Sequence, residues 1–292
     1  VNTKGEAQDG QKSKYKSRLV CQGYKEVDKA QSDSPTANRE SLRIFLCLSA
    51  VLGFRNLTSM DVSAAFLQAE EIQRDVYVKL PKSIENDESM VYKLRKPLYG
   101  LTDAGRQFYK KLTKIFEMNG YETTLGDACF FRKYRKDGKL DGMVLSHVDD
   151  VIINGSEQFV NETVELLKKE LTISKVVKNQ FRFCGLDLNQ KDGKIELSMD
   201  DYAKSLFIAP IPNKTKNTAK LTPKQMTMLR GQVGALSWLS TNVRMDLSFG
   251  THELSKIIGN ATIKDLKTSN SLVRRAMKRQ NEIVYRSVGK PE

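Results

Sequence analysis

Apolar positions along the chain follow two periods, and the switch between them sets out the elements. Leu42, Phe45, Leu46 and Ala50 recur at helical spacing and predict a helix over 39–53. A strand ending near Asp61 and a short helix follow. Val76-Tyr77-Val78-Lys79-Leu80 alternates like a strand that Pro81 stops, and Val91-Tyr92-Lys93-Leu94 is another candidate strand. The turn Pro97-Leu98-Tyr99-Gly100-Leu101 leads into a helix over 104–119, closed by Gly120. Residues 128–135 and 141–148 read as strands around an Asp137-Gly138 turn. Residues 157–171 form an amphipathic helix on Val160, Val164, Leu167 and Leu171. Residues 181–188 and 195–198 make a hairpin through Asp192-Gly193, and from Asp200 onward the pattern is mostly helical, with 212–220 as the candidate linker. Residues 15–25 read as a basic strand and turn behind a polar, frayed stretch over 1–14.

One interruption carries chemistry. Asp149-Asp150 separates the apolar runs Met143-Val144-Leu145 and Val151-Ile152-Ile153, where a hairpin would turn. Adjacent carboxylates repel, so they either point to water or share a cation. Alone, the step reads as a solvated turn, since Asp is common there. Asp61 adds a third carboxylate in an equally apolar setting, where a lone Asp also reads as a helix N-cap. Together they describe a strand ending in one carboxylate beside a hairpin carrying two. Mg²⁺ takes oxygen ligands of this kind, and two ions about 3.5–4 Å apart clamp the attacking and leaving oxygens of a phosphoryl transfer.

Composition narrows the partners. The 292 residues allow two or three subdomains, and the net charge of +13 suggests a polyanion, nucleic acid above all. Basic residues cluster over 12–25, 93–111, 132–139 and 274–279, three of the clusters with interleaved aromatics; each alone also reads as a solvated face. Cys21, Cys47, Cys129 and Cys184 are scattered, and only His147 and His252 exist, which argues against zinc, a disulfide framework or a histidine triad and fits reduced thiols of cytosol or nucleus. The longest apolar stretch, 45–54, falls short of a membrane span. The chain starts without Met and reads as a piece of a longer polypeptide.

Seven segments in order carry a family resemblance: Lys16-Ser17-Arg18-Leu19-Val20 with Gly23-Tyr24; Asp61-Val62-Ser63-Ala64-Ala65-Phe66-Leu67; Val76-Tyr77-Val78 with Pro81; Leu98-Tyr99-Gly100-Leu101 with Arg106 and Tyr109; Val148-Asp149-Asp150; Cys184-Gly185-Leu186; and Gly234-Ala235-Leu236 with Arg244 and Asp246. Over residues 16–280 the chain resembles the reverse transcriptase region of Ty1/copia-type retrotransposon polyproteins. The resemblance implies an α+β right-hand polymerase, with an antiparallel palm sheet backed by helices. Residues 1–60 would be mainly fingers with entry to the palm, 61–200 palm with a fingers insertion around 70–100, and 201–292 a thumb or connection-like helical region.

The same resemblance implies catalysis and metal binding by Asp61, Asp149 and Asp150, with two Mg²⁺ ions for which Mn²⁺ substitutes. It places Lys16 and Arg18 on the triphosphate, Val62, Ser63, Ala64 and Ala65 along the incoming nucleotide, Phe66 as the ring that excludes a ribose 2′-OH, and Tyr99 and Gly100 beside the templating pair. Phe183, Cys184, Gly185 and Leu186 would grip the primer end, and Lys175 or Lys178 would protonate pyrophosphate. Implied partners are an RNA template, a DNA primer, dNTPs and other parts of the same polyprotein, ribonuclease H and integrase among them. The ribonuclease H is expected beyond Glu292. A dimer stays open, no membrane is implied, and the implied location is a cytoplasmic virus-like particle or the nucleus.

Four positions depart from the family pattern. His147 replaces the tyrosine before Val148, Asp103 and Gly105 stand where Gln and Pro are common, and Met245 replaces a proline. Asp103 would be a fourth carboxylate near the nucleotide, weakening triphosphate binding. Two other classes therefore stay open: an inactive nucleic-acid-binding module, which Mg²⁺-dependent primer extension distinguishes, and a structural subunit of a polymerase, which a dilution series distinguishes.

Overall fold

The computed structural model describes residues 18–26, 30–85, 87, 89–278 and 281–287. The predicted polar stretch over 1–14 and Lys16 lie outside the described residues. The chain forms two compact units, one reaching to Phe45 and taking Asn56–Val177, the other taking Leu46–Arg55 and everything from Lys178 on. Both mix helices with antiparallel sheet.

α1 (Arg39–Val51) begins in the first unit, where the Asn38 side chain accepts from the Ser41 N–H at 2.6 Å, and its residues from Leu46 on belong to the second. β1 (Thr58–Val62) follows, then the two-residue ladder of β2 (Tyr77–Val78) and β3 (Tyr92–Lys93). Next come α2 (Ala104–Met118), β4 (Glu122–Thr124), β5 (Asp127–Tyr134), β6 (Leu140–His147), β7 (Asp150–Gly155), α3 (Glu157–Glu170) and β8 (Ile173–Lys178). Six strands make one sheet in the order β4-β5-β6-β7-β1-β8. Met60, Val62, Phe131, Val144, Val151 and Ile153 pack with Phe108, Leu112 and Phe116 of α2 and Phe159, Val160 and Leu167 of α3. Leu145 and Ile152, which alternate with these, are also fully buried. Cover on both faces explains why these strands read as continuous apolar runs.

The second unit holds the antiparallel sheet β12-β11-β10-β9, built from β9 (Gln180–Phe183), β10 (Leu186–Lys191), β11 (Lys194–Ser198) and β12 (Ile283–Tyr285). Its helices are α4 (Asp200–Lys204), α5 (Pro223–Asn242), α6 (Ser248–Ile257) and α7 (Ile263–Lys278). Leu229, Val233, Leu254 and Leu266 form a core among α5, α6 and α7.

Three expectations are corrected. Residues 18–22 form no strand: among the described residues the segment makes a single ladder-like backbone hydrogen bond to its neighbour, Cys21 N–H to the Tyr99 carbonyl at 2.7 Å. The strand expected over 76–81 shortens to two residues, since among the described residues its only partner is the equally short β3. The expected linker lies inside the second unit and is pinned: the Ala219 and Asn217 carbonyls accept from Ile263 and Lys264 N–H at 2.9 and 3.0 Å.

The seating of α3 rests on missing side chains. Gly142 and Gly155 face each other across β6 and β7, and the buried Phe159 ring fills the space. A Cβ on Gly142 would lie 2.1 Å from that ring, whereas one on Gly126 would meet nothing within 4 Å. Gly142→Ala is expected to cost about 1–3 kcal/mol, read as a lower urea midpoint, with Gly126→Ala near neutral. Equal midpoints for both variants would contradict this packing.

Candidate active site

β1 alternates buried and half-buried residues, so Met60 and Val62 enter the core while Asp61 lies on the other side of the strand. Antiparallel pairing with β7 places Asp61 directly opposite Asp150. The β6–β7 hairpin turns through Val148 and Asp149, with His147 also facing Asp150. The Val62 N–H donates to the Asp149 carbonyl at 3.0 Å, which ties the turn to β1. Three carboxylates thus emerge at one end of two adjacent central strands. Val148 holds φ at +59°, a left-handed conformation that costs a β-branched residue about 1–3 kcal/mol.

Partial burial pushes the Asp150 carboxyl above its ordinary range, and the charges of Asp149 and Asp61 push it the same way. Of the three carboxylates, Asp61 alone accepts a side-chain hydrogen bond among the described residues. Its Oδ2 takes the Ser174 hydroxyl of β8, whose Oγ also lies 3.1 Å from the Asp61 carbonyl. Among the described residues no group of three or more His, Cys, Asp and Glu is arranged to hold a metal ion. The donor set nevertheless suits a hard divalent cation: it is all oxygen, and mutual repulsion disfavours it without a counter-charge.

Next to Asp61 the chain turns through Ala64, exposed at φ +45°, into a short 3-10 helix over Ala65–Gln68. Ser63 donates its N–H to the Thr172 carbonyl at 3.0 Å. Phe66 is half-buried and touches two apolar clusters, the sheet core and one formed by Val76, Leu101 and Ala104. Its ring lies 4.8 Å from that of Tyr99, and the Arg18 guanidinium stands over the far ring at 5.7 Å. Gly100 has φ +90°, and a Cβ there would fall 2.1 Å from the Cys21 carbonyl, so glycine is required on both counts.

A protein-family model described as "Reverse transcriptase (RNA-dependent DNA polymerase)" matches residues 1–226. This chain belongs to the reverse transcriptase family. It is 28% identical over 293 residues to the "Retrovirus-related Pol polyprotein from transposon RE1" of Arabidopsis thaliana, covering 94% of this chain and 20% of that protein. It is 32% identical over 151 residues to the polyprotein from transposon TNT 1-94 of Nicotiana tabacum, covering 50% and 11%. The Ty1-ER2 Gag-Pol polyprotein of Saccharomyces cerevisiae matches at 22% over 261 residues, 85% of this chain and 14% of that one. The chain therefore spans about a fifth or less of the length of these curated relatives.

Asp103, the departure that suggested a fourth free charge, is buried and ion-paired in this reverse transcriptase chain. Arg74 donates to it at 2.9 Å and Gln107 at 3.3 Å. Burial pushes its carboxyl up; the hydrogen bonds from Arg74 and Gln107 and the Arg74 charge together outweigh that and hold it below the usual range. A neutralised Asp103 adds little field at a distance. His147 keeps a buried Nδ1 without a hydrogen-bond partner among the described residues. In the second unit, Phe183 and Leu186 are buried and pair across a tight turn formed by Cys184 and Gly185, at φ +49° and +79°. Lys175 and Lys178 both lie exposed on β8. Sequence inspection missed Ser174, Gln68 and Arg74: each acts through a partner distant along the chain, and no local period marks them.

A carboxyl whose folded pKa is raised favours folding below its ordinary value and loses that contribution as pH rises through the raised one. Asp150 therefore opposes folding of the metal-free protein near neutrality. Asp150→Asn is expected to raise the metal-free melting temperature at pH 7, with little effect at pH 4. Partial solvation limits the gain to about 1 kcal/mol, roughly 2–4 °C. Calorimetry showing the variant less stable at pH 7 would contradict the repulsion.

Proposed function

We propose that this chain is an RNA-directed DNA polymerase domain that joins a deoxynucleotide to a primer 3′-OH on an RNA template, as part of a retrotransposon polyprotein. The observation that carries this is the cross-strand pair Asp61–Asp150 with Asp149 beside it, in a chain of the reverse transcriptase family. Asp61, Asp149 and Asp150 would hold two Mg²⁺ ions, or Mn²⁺ in their place. When bound, such ions supply Lewis acidity and neutralise charge on the triphosphate. In right-hand terms, residues 1–60 are mainly fingers, 61–200 the palm with a fingers insertion around 70–100, and 201–292 a helical thumb-like region.

The remaining residues position substrate. Phe66 is wedged between two clusters and against Tyr99, and this support would hold its ring against a ribose 2′-oxygen. A ring free to swing would discriminate less, so the packing behind it matters as much as the ring. Arg18 and Lys16 bind triphosphate oxygens, and the Val62–Ala65 backbone and Gly100 border the nucleotide. The Phe183-Cys184-Gly185-Leu186 turn supports the primer strand. The excess of basic residues holds the duplex through its phosphates, so binding falls steeply with salt. Ribonuclease H and integrase parts of the same polyprotein are the expected partners. With Asp103 neutralised by Arg74, the case for an inactive module weakens.

Extension of a DNA primer on an RNA template with dNTPs and Mg²⁺ tests the proposal. The wild type is expected to extend, and Asp149→Asn to lose at least about 100-fold, the scale on which charge stabilisation at the reacting oxygens acts. Phe66→Ala is expected to keep deoxynucleotide addition and to gain ribonucleotide addition. Extension that survives Asp149→Asn would overturn the assignment of the carboxylates, and tight duplex binding without extension would favour the inactive module.

A further inference from the structure

The three carboxylates are not equivalent in their surroundings. Asp149 and Asp150 meet no side-chain donor among the described residues, whereas Asp61 meets one, and it comes from β8 rather than from its own loop. Ser174 carries a single hydroxyl proton and stands between two acceptors of the same residue, the Asp61 carbonyl at 3.1 Å and the carboxylate Oδ2. That contact fixes which way the carboxylate plane turns, and it leaves Oδ1 with no hydrogen bond among the described residues.

The position of Ser174 is itself enforced. Two residues earlier, the Gln68 side chain embraces the Thr172 backbone: its Oε1 accepts from the Thr172 N–H at 2.7 Å and its Nε2 donates to the Thr172 carbonyl at 3.1 Å. The same Nε2 donates to the Ser63 carbonyl, and the Ser63 N–H donates to the Thr172 carbonyl at 3.0 Å. Lys111 of α2 donates to the Gln68 carbonyl at 2.7 Å. The loop that follows Asp61 is thus stitched to the strand that carries Ser174. A side chain at an exposed strand position has no packing reason to be serine; its polar contact with Asp61 is what distinguishes it.

We infer that Ser174 is a positioning residue that presets the Asp61 carboxylate for the first metal ion, resting on the proposal that Asp61 is a metal ligand. Donors to a ligating carboxylate orient it before the ion arrives, and removing such partners typically weakens metal affinity about 10–100-fold. Ser174 touches neither substrate nor reacting atoms, so its effect falls on metal affinity before it falls on turnover.

Mn²⁺ titration of the full chain, followed by the electron paramagnetic resonance signal of the free ion, reads that affinity without turnover. Ser174→Ala is expected to bind Mn²⁺ about tenfold more weakly. Ser174→Thr, which restores the hydroxyl on a strand-favouring side chain, is expected to recover most of the loss. In primer extension, Ser174→Ala should raise the Mg²⁺ concentration for half-maximal rate more than it lowers the rate at saturating Mg²⁺. Unchanged or tighter Mn²⁺ binding by Ser174→Ala would overturn the inference, as would an equal loss in Ser174→Thr. Asp61→Asn separates the two levels: if it binds Mn²⁺ like the wild type, Asp61 is no ligand and the functional proposal fails with it. If Asp61→Asn loses binding while Ser174→Ala does not, only the role of Ser174 fails.

Discussion

Everything at the site depends on the register of β1 against β7. A one-residue slip of a strand exchanges its two faces, so Asp61 would enter the core and Met60 would leave it. Burial of Met60 and Val62, on the face of β1 that Asp61 avoids, forbids that exchange. Each fully buried side chain of this size contributes about 1.5–3 kcal/mol, and together they exceed the repulsion of a few partly solvated carboxylates. The hydrophobic sheet therefore holds Asp61 and Asp150 face to face although their charges oppose it. A site that is electrostatically unfavourable when empty gains most from a cation.

The surroundings follow the same logic of fixing side chains from behind. Phe66 is held by packing on both sides and by Tyr99, and Tyr99 in turn is held through its carbonyl by the Cys21 N–H. Gly100 lets the two backbones approach so closely that any Cβ would part them. The Arg74–Asp103 pair removes a buried charge from play and carries a second, longer contact to Glu26 at 3.5 Å. The strained turn at Val148 is the exception to local comfort, and it sits between the residues that must converge.

Much of this was legible along the chain. The helices α1 and α3 follow from apolar spacing, α2 from the turn before it and the closing Gly120, and β5, β6 and β7 from apolar runs and the Asp137-Gly138 turn. The carboxylates stood out because charge interrupted runs that burial demanded. What stayed hidden depends on contacts distant in sequence. β8 has only a weak apolar pattern, so neither the strand nor Ser174 announced itself. Asp103 looked like a free charge because Arg74, 29 residues earlier, carries no mark of being its partner. The expected linker is rich in polar residues, yet its carbonyls are spoken for by the start of α7.

Asp61, Asp149 and Asp150 are proposed to share one cation site at a register fixed by burial. Anomalous diffraction from crystals grown with an RNA–DNA template–primer, a non-hydrolysable dNTP analogue and Mn²⁺ tests it most directly. Two manganese peaks about 3.5–4 Å apart are expected, both bonded to oxygens of these three side chains. Peaks elsewhere, or none beside Asp61 and Asp150 with the nucleotide bound, would contradict it.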